Sequence, residues 1–395
     1  MTDRPLVAVT YPVDGEFTEI NTSILGPVAD VAFLDGRPEG EFRDVLSQAD
    51  VLLGWHLSQE LPAGVLAASP GLRLIQLLSA GADSVDFSAV PERLTLASNV
   101  GAYAEPMAEY VMAVTLALAR RLPQRHADLA RGEFRMWDRV LTLDGAVCAI
   151  LGFGGIGQAT ARLMRAFGAR IHAVNSSGRS SEPAEFTGTL ADLDRVLAAA
   201  DVLVISLPLI NATRGLIGAR ELGLMKPEAI LVNLGRAAIV DERALYEHLR
   251  SQPDFCAGID AWWHEPGPGS GFSTRYPFFD LPNLLGSPHN SGVTDGALHV
   301  GVRMAAENVR RFLSGEAVTG VARRGDYLLP GPGGKALVQN SATSIRRMKR
   351  TPSRPCAYSM KSRTAAARPG CPLQRAWTPT VISRAPQPCL ASSSR

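Results

Sequence analysis

No acidic residue follows Asp326. Residues 327–395 hold 12 lysines and arginines, which leaves 28 basic and 38 acidic residues in 1–326 of a chain whose net charge is +2. The greater part of the protein is therefore mildly acidic. It has no spread basic field of the kind that draws nucleic acid or an anionic membrane, and neither partner is expected. Cysteine is also scarce. The five residues (Cys148, Cys256, Cys356, Cys371 and Cys389) include no Cys-x-x-Cys pair, so neither a structural zinc site nor a redox dithiol is indicated, and no metal is expected. Cys148 lies in an apolar run and reads as an inert buried thiol, a pattern that suits a reducing cytoplasm. Long hydrophobic runs are missing. The most apolar helical stretch, 107–121, contains Glu109 and ends in two arginines, so it reads as a buried helix rather than a membrane span. The apolar run near the start is too short for a leader and reads as a first strand.

What is present is alternation. Short apolar runs at 6–9, 31–34, 51–54 and 72–78 have strand character, and 41–48 and 63–69 have helical character. A long helix is expected at 103–121, followed by a polar stretch to 140. A second series begins at 146–168 and continues through strands at 170–174, 201–209, 229–235 and 256–261, and a final helix spans 293–315. The rhythm implies an α/β chain with two Rossmann-like or flavodoxin-like parallel-sheet domains joined by two long helices. The expected boundaries are 1–101 and 294–328 for one domain and 102–293 for a dinucleotide-binding domain. Residues 329–395 are basic, rich in Pro, Ser and Arg and without apolar periodicity, so a disordered tail is expected there.

"AILGFGGIGQATARLM" sets Gly152, Gly154 and Gly157 in G-x-G-x-x-G spacing between a strand and a helix. The first glycine permits the tight turn, the second admits a pyrophosphate, and the third lets helix and strand pack closely, while the helix start supplies amide donors. Phe153, Gly155 and Ile156 complete the cradle. The next strand ends at Asn175, where an acid would hold a ribose and repel a 2′-phosphate. Asn175 removes that repulsion, and Ser176, Ser177 and Arg179 supply donors and a positive charge, so NADP is favoured over NAD.

Three more stretches deliver polar residues to strand ends: "ILVNLGRAAIVDERAL" with Arg236, "AGIDAWWHEP" with Asp260 and Glu265, and "LPNLLGSPHNSG" with His289. With the glycine turn, "LPLINATRGLI", "SAGADSVD" and "NVGAYAEPMAEY", they stand in the order and spacing of the D-isomer-specific 2-hydroxyacid dehydrogenase family, which residues 5–327 resemble. The resemblance implies a catalytic set of Arg236, Glu265 and His289. Reduction of a 2-oxo acid adds a hydride to the carbonyl carbon and a proton to its oxygen. His289 would donate the proton, Glu265 would favour its imidazolium and fix the ring, and Arg236 would grip the carboxylate and polarise the carbonyl. Backbone amides at Ser79, Ala80 and Gly81 would complete the carboxylate site. Asp260 would orient the nicotinamide, and Leu207, Pro208 and Thr213 would line the adenosine. Leu234, Gly235, Ser291 and Gly292 complete the implied cofactor site.

The implied protein is a cytoplasmic NAD(P)-dependent reductase of small 2-oxo acids of the glyoxylate or hydroxypyruvate kind. It would be a homodimer built on the 103–121 helix. A dinucleotide-sensing corepressor-like protein, or a formate- or phosphite-type dehydrogenase on the same scaffold, are the alternatives. His56, after a strand, could face the cleft. The pattern departs from the family at Asn175, at Ala237 (usually glycine) and in a long 266–283 segment, which would shape substrate access.

Overall fold

The computed structural model describes residues 4–267 and 270–327; the tail expected at 329–395 lies outside the described residues. Strands β1 (Leu6–Val9), β2 (Asp30–Phe33), β3 (Val51–Gly54), β4 (Leu74–Leu77) and β5 (Thr95–Ala97) form one parallel sheet in the order β2-β1-β3-β4-β5. Helices α1 (Gly15–Leu25), α2 (Glu39–Gln48) and the single turn α3 (Leu57–Glu60) connect them. Helices α4 (Ala104–Ala119) and α5 (Leu122–Ala130) follow.

The second sheet is also parallel. It contains β6 (Val147–Leu151), β7 (Arg170–Val174), β8 (Phe186–Gly188), β9 (Val202–Ile205), β10 (Ile230–Asn233), β11 (Cys256–Ile259) and β12 (Leu284–Gly286), in the order β12-β11-β10-β9-β6-β7-β8. Its helices are α6 (Gly155–Ala166), α7 (Leu193–Ala199), α8 (Ala219–Leu224) and α9 (Glu242–Ser251). Helix α10 (Ala297–Leu313) returns to the first sheet. Each sheet has a point where strand order reverses, between β1 and β3 and between β6 and β9, and ligands of such folds bind beyond the carboxyl ends there.

The central strands β3, β4, β6, β9, β10 and β11 are buried on both faces, as continuous apolar runs in parallel sheets must be. Helix α4 lays Val111, Val114 and Leu118 against α6, β10 and β11 so closely that a Cβ on Gly258 would lie 2.3 Å from Val114. Its Val111–Val114–Leu118 stripe is thus consumed within the chain, while Ala113 stays exposed and Met107, Leu116 and Ala117 only half-buried. Val302, Ala305, Ala306 and Val309 of α10 join Val7, Val9, Val51 and Leu53 in one core of the first sheet.

Register carries the fold into the site. Leu151 pairs Val174 and Ile205, Ile205 pairs Asn233, Asn233 pairs Ile259, and Ile259 pairs Gly286. The next residues (Gly152, Asn175, Ser206, Leu234, Asp260 and Ser287) therefore stand in one row at the carboxyl edge. In the first sheet Gly54 pairs Leu77, which sets Trp55 and His56 beside Leu78 and Ser79.

Two expectations are corrected here. Residues 63–69 form turns rather than a helix, because Pro62 precedes them and Gly64 takes φ +74°. The polar stretch after 121 contains α5, whose residues are all at least partly exposed. Among the described residues no helix is long and apolar enough to cross a membrane.

Candidate functional site

The glycine turn has the geometry of a phosphate cradle. Gly152 takes φ +97°, and a Cβ there would lie 2.8 Å from the Ser206 carbonyl carbon. A Cβ on Gly157 would lie 2.1 Å from the Gly152 carbonyl oxygen, so α6 packs directly onto the turn. Gly154 is exposed, and a Cβ on it would meet nothing within 4 Å. Helix α6 starts there with no side chain capping it, which leaves first-turn amides facing an open space that suits an anion. Gly155 serves packing, since its Cβ would lie 2.9 Å from Gly101 Cα. Phe153 and Leu234 bury their side chains in the core, so only their backbones can reach a ligand; Ile156 packs against the same core.

Asn175 sits at the end of β7, and its side chain is spent on its own loop. Its Oδ1 accepts from the amides of Ser177 (3.0 Å) and Gly178 (2.8 Å), and its Nδ2 donates to the Arg179 carbonyl at 2.7 Å. Asn175 therefore shapes the loop, while Ser176 and the Arg179 guanidinium remain exposed with no partner among the described residues. Thr213 closes the loop after β9, donating to the Pro208 carbonyl at 2.6 Å and accepting from the Ile210 amide at 3.0 Å. Leu207 is half-buried and Pro208 exposed at that edge.

Asp260 is fully buried and organises the turn that carries His289. Its carboxylate accepts from Ser287 Oγ (2.5 Å) and from the amides of Asn290 (3.0 Å) and Ser291 (3.1 Å), and its carbonyl accepts from the His289 amide at 2.9 Å. Tyr110 of α4 reaches Ser287 Oγ at 2.6 Å, and burial pushes its phenol up to about 12. His289 is held at φ +51°, a strained region for a residue with a side chain, which a surrounding turn must enforce. Its Nδ1 meets both Glu265 oxygens, at 2.8 and 3.0 Å, and Glu265 is fixed in turn by the Trp262 amide at 2.9 Å. That leaves His289 Nε2 for the cleft. Ser291 Oγ is buried without a partner, and Gly292 packs against Tyr103.

Arg236 follows β10 and crosses to the first sheet. Its Nε donates to Asp83 Oδ2 at 2.9 Å and its Nη1 to the Gly235 carbonyl at 3.0 Å, while Nη2 lies against Gly81, where a Cβ would approach within 2.8 Å. The neighbouring Asp83 charge holds Arg236 even more firmly protonated than usual. Arg236, His289, Glu265, Asp83, Ser79, Ser84, His56 and Trp262 line one cleft. Ser79 Oγ is tied to the Gly81 carbonyl at 2.8 Å, and the Ala80 and Gly81 amides donate to no backbone acceptor among the described residues. Trp262, one wall, packs on Phe272 and Phe279 of the long 266–283 segment.

The D-isomer specific 2-hydroxyacid dehydrogenase NAD binding domain model matches residues 112–291. Glyoxylate reductase of Aeropyrum pernix is 32% identical over 336 residues, 81% of this chain and 96% of that protein. The chain belongs to the D-isomer specific 2-hydroxyacid dehydrogenase family. D-3-phosphoglycerate dehydrogenase of Methanocaldococcus jannaschii is 31% identical over 305 residues, which cover 75% of this chain but only 56% of that longer protein. A D-isomer specific 2-hydroxyacid dehydrogenase family protein from Aeromonas salmonicida has the same fold, with a TM-score of 0.66 and 26% identity over 82% of this chain and 100% of that one. The family consists of NAD-dependent oxidoreductases acting on CH–OH groups.

Within this dehydrogenase fold Arg236, Glu265, His289 and Ser79 line one cleft. Asp83, Tyr110 and Ser287 were not singled out. Asp83 lies inside the quoted "SAGADSVD" stretch, but its partner is 153 residues away and invisible to local pattern.

Proposed function

We propose that this chain reduces small, unphosphorylated 2-oxo acids to D-2-hydroxy acids. The observation that carries the reading is the His289 Nδ1–Glu265 pair, which leaves Nε2 facing the cleft that Arg236 enters. Nicotinamide dinucleotide, bound on the glycine turn, would supply the hydride. His289 would deliver the proton from Nε2 to the carbonyl oxygen, with Glu265 fixing the ring through Nδ1. Arg236 would hold the carboxylate through its cleft-facing nitrogens, with Asp83 setting its direction and the Ser79–Gly81 backbone amides assisting. Of the described residues lining the cleft, Arg236 is the one permanent cation, and Asp83 already pairs with it. A phosphate or second carboxylate would find no counter-charge, which favours acids of the glyoxylate kind over phosphorylated ones.

NADP is the favoured cofactor, because the Arg179 guanidinium is unengaged beside a strand end that carries no acid. The substrate-side domain is assigned to 1–101 and 294–328, and the cofactor domain to 102–293. A homodimer would use the exposed apolar side chains after α4, among them Leu129, Phe134, Met136 and Trp137, the last 89% exposed. A panel of 2-oxo acids assayed with NADH and NADPH tests the reading. Turnover of glyoxylate or hydroxypyruvate is expected; turnover of phosphorylated acids alone, or of none, refutes it.

A further inference from the structure

We infer that His56 is a specificity-determining residue, its imidazole hydrogen-bonding the 3-hydroxyl of a 3-hydroxy-2-oxo acid. The inference rests on the 2-oxo acid reading above and names a substrate class within it. His56 follows β3 at the carboxyl edge and lines the same cleft as Arg236 and His289. Its backbone is rigidly mounted. Glu60 accepts from the His56 amide at 2.6 Å, from the Trp55 amide at 3.0 Å and from Thr10 Oγ1 at 2.6 Å. A Cβ on the preceding Gly54 would meet Leu57, Glu60 and Thr10 within 2.9 Å, so the corner cannot relax. Trp55 stacks on the imidazole with ring centroids 5.3 Å apart.

Despite that mount, neither ring nitrogen of His56 has a hydrogen-bond partner among the described residues. Of the other polar walls, Ser79 is spent on Gly81, Asp83 on Arg236 and the Trp262 indole on the Ser287 carbonyl, while the Ser84 hydroxyl, also without a partner among the described residues, is exposed at the cleft's edge. Burial holds His56 below the ordinary imidazole range, so at neutral pH it is uncharged and offers one donor and one acceptor. A hydroxyl has the same dual character. A methyl group leaves both capacities unused, and a second carboxylate needs a cation that an uncharged ring does not provide. With carboxylate and ketone held by Arg236 and His289, the C3 substituent is the part of a three-carbon acid left to meet this wall. A site built to bond a hydroxyl discriminates strongly against substrates that lack it.

The test is steady-state kinetics of the full-length wild type, His56→Phe and His56→Gln with hydroxypyruvate and glyoxylate, thermal midpoints being recorded for each. The expected result is that the hydroxypyruvate-to-glyoxylate ratio of kcat/KM falls about tenfold in His56→Phe, the worth of one hydrogen bond, and is largely recovered in the donor-retaining His56→Gln. A ratio within twofold of wild type in His56→Phe, or equal losses on both substrates, overturns the inference. Wild-type reduction of glyoxylate without hydroxypyruvate overturns it alone. Wild-type reduction of neither overturns the 2-oxo acid reading beneath it.

Discussion

Asp83→Asn isolates orientation from charge. The carboxylate lies 2.9 Å from Arg236 Nε, and the two side chains are only 16% and 28% exposed. At an effective dielectric of about 20 that separation corresponds to an attraction of about 6 kcal/mol. Asparagine keeps an oxygen to accept from Nε, worth ~1 kcal/mol, and loses the rest. Two consequences oppose each other. Arg236 without its counter-ion attracts a substrate carboxylate more strongly, which lowers KM. It is also freer to rotate, which misaligns it against the carbonyl and lowers kcat. The second should dominate turnover, because polarisation depends on direction while anion attraction does not. A misalignment cost of ~1.4–2.7 kcal/mol gives a kcat about 10- to 100-fold lower, with KM unchanged or reduced. Initial rates over a substrate series, with the thermal midpoint measured alongside, would check this. A normal kcat with a raised KM would refute the reasoning, since it would make Asp83 part of substrate capture rather than of orientation.

His289→Asn keeps a residue tolerant of the left-handed backbone and should lose about 10²- to 10⁴-fold in kcat; near-normal turnover would remove His289 as proton donor. Arg179→Ala should weaken NADPH binding about tenfold and NADH binding less, measured by fluorescence titration. Asn175→Asp sets a carboxylate oxygen where Nδ2 now donates to the Arg179 carbonyl, so it should lower the NADPH-to-NADH preference; an unchanged ratio in both variants would leave Arg179 a solvated loop residue. His56, His172 and His248 are all held below their ordinary value of 6.5 by burial. The unfolded chain takes up protons there that the native state refuses, so stability is full above about pH 7 and is lost as pH falls through and below 6.5. The thermal midpoint should drop between roughly pH 7.5 and 5.5, less steeply in His248→Phe; a flat profile would count against it.

Strands β1 and β3 were legible because both faces are apolar, β7 because apolar residues alternate with Arg170 and His172, and all three begin and end where the runs do. The three-residue strands β5, β8 and β12 were not, since a run so short has no period, and pairing with a long neighbour makes them strands. The glycine turn could be read in full because its requirement is steric and local. Roles that depend on distant partners could not. Asp83 gains its meaning from Arg236, and Asn175 proves to be the organiser of its own loop before it is anything to a ribose. The apolar character of α4 was visible, but that its Val111–Val114–Leu118 stripe packs on the chain's own sheet is set by topology.

Helix α10 has a consequence for biosynthesis. The second sheet is continuous in sequence and can close as soon as β12 has left the ribosome. The first sheet cannot. Val302, Ala305, Ala306 and Val309 wall its core, and they emerge more than two hundred residues after β5. At about 5–20 residues per second the nascent chain carries that unwalled face for ten seconds or more. The first lobe synthesised is therefore the last to be finished, and any stop before the end of α10 strands an exposed hydrophobic face on an otherwise foldable protein.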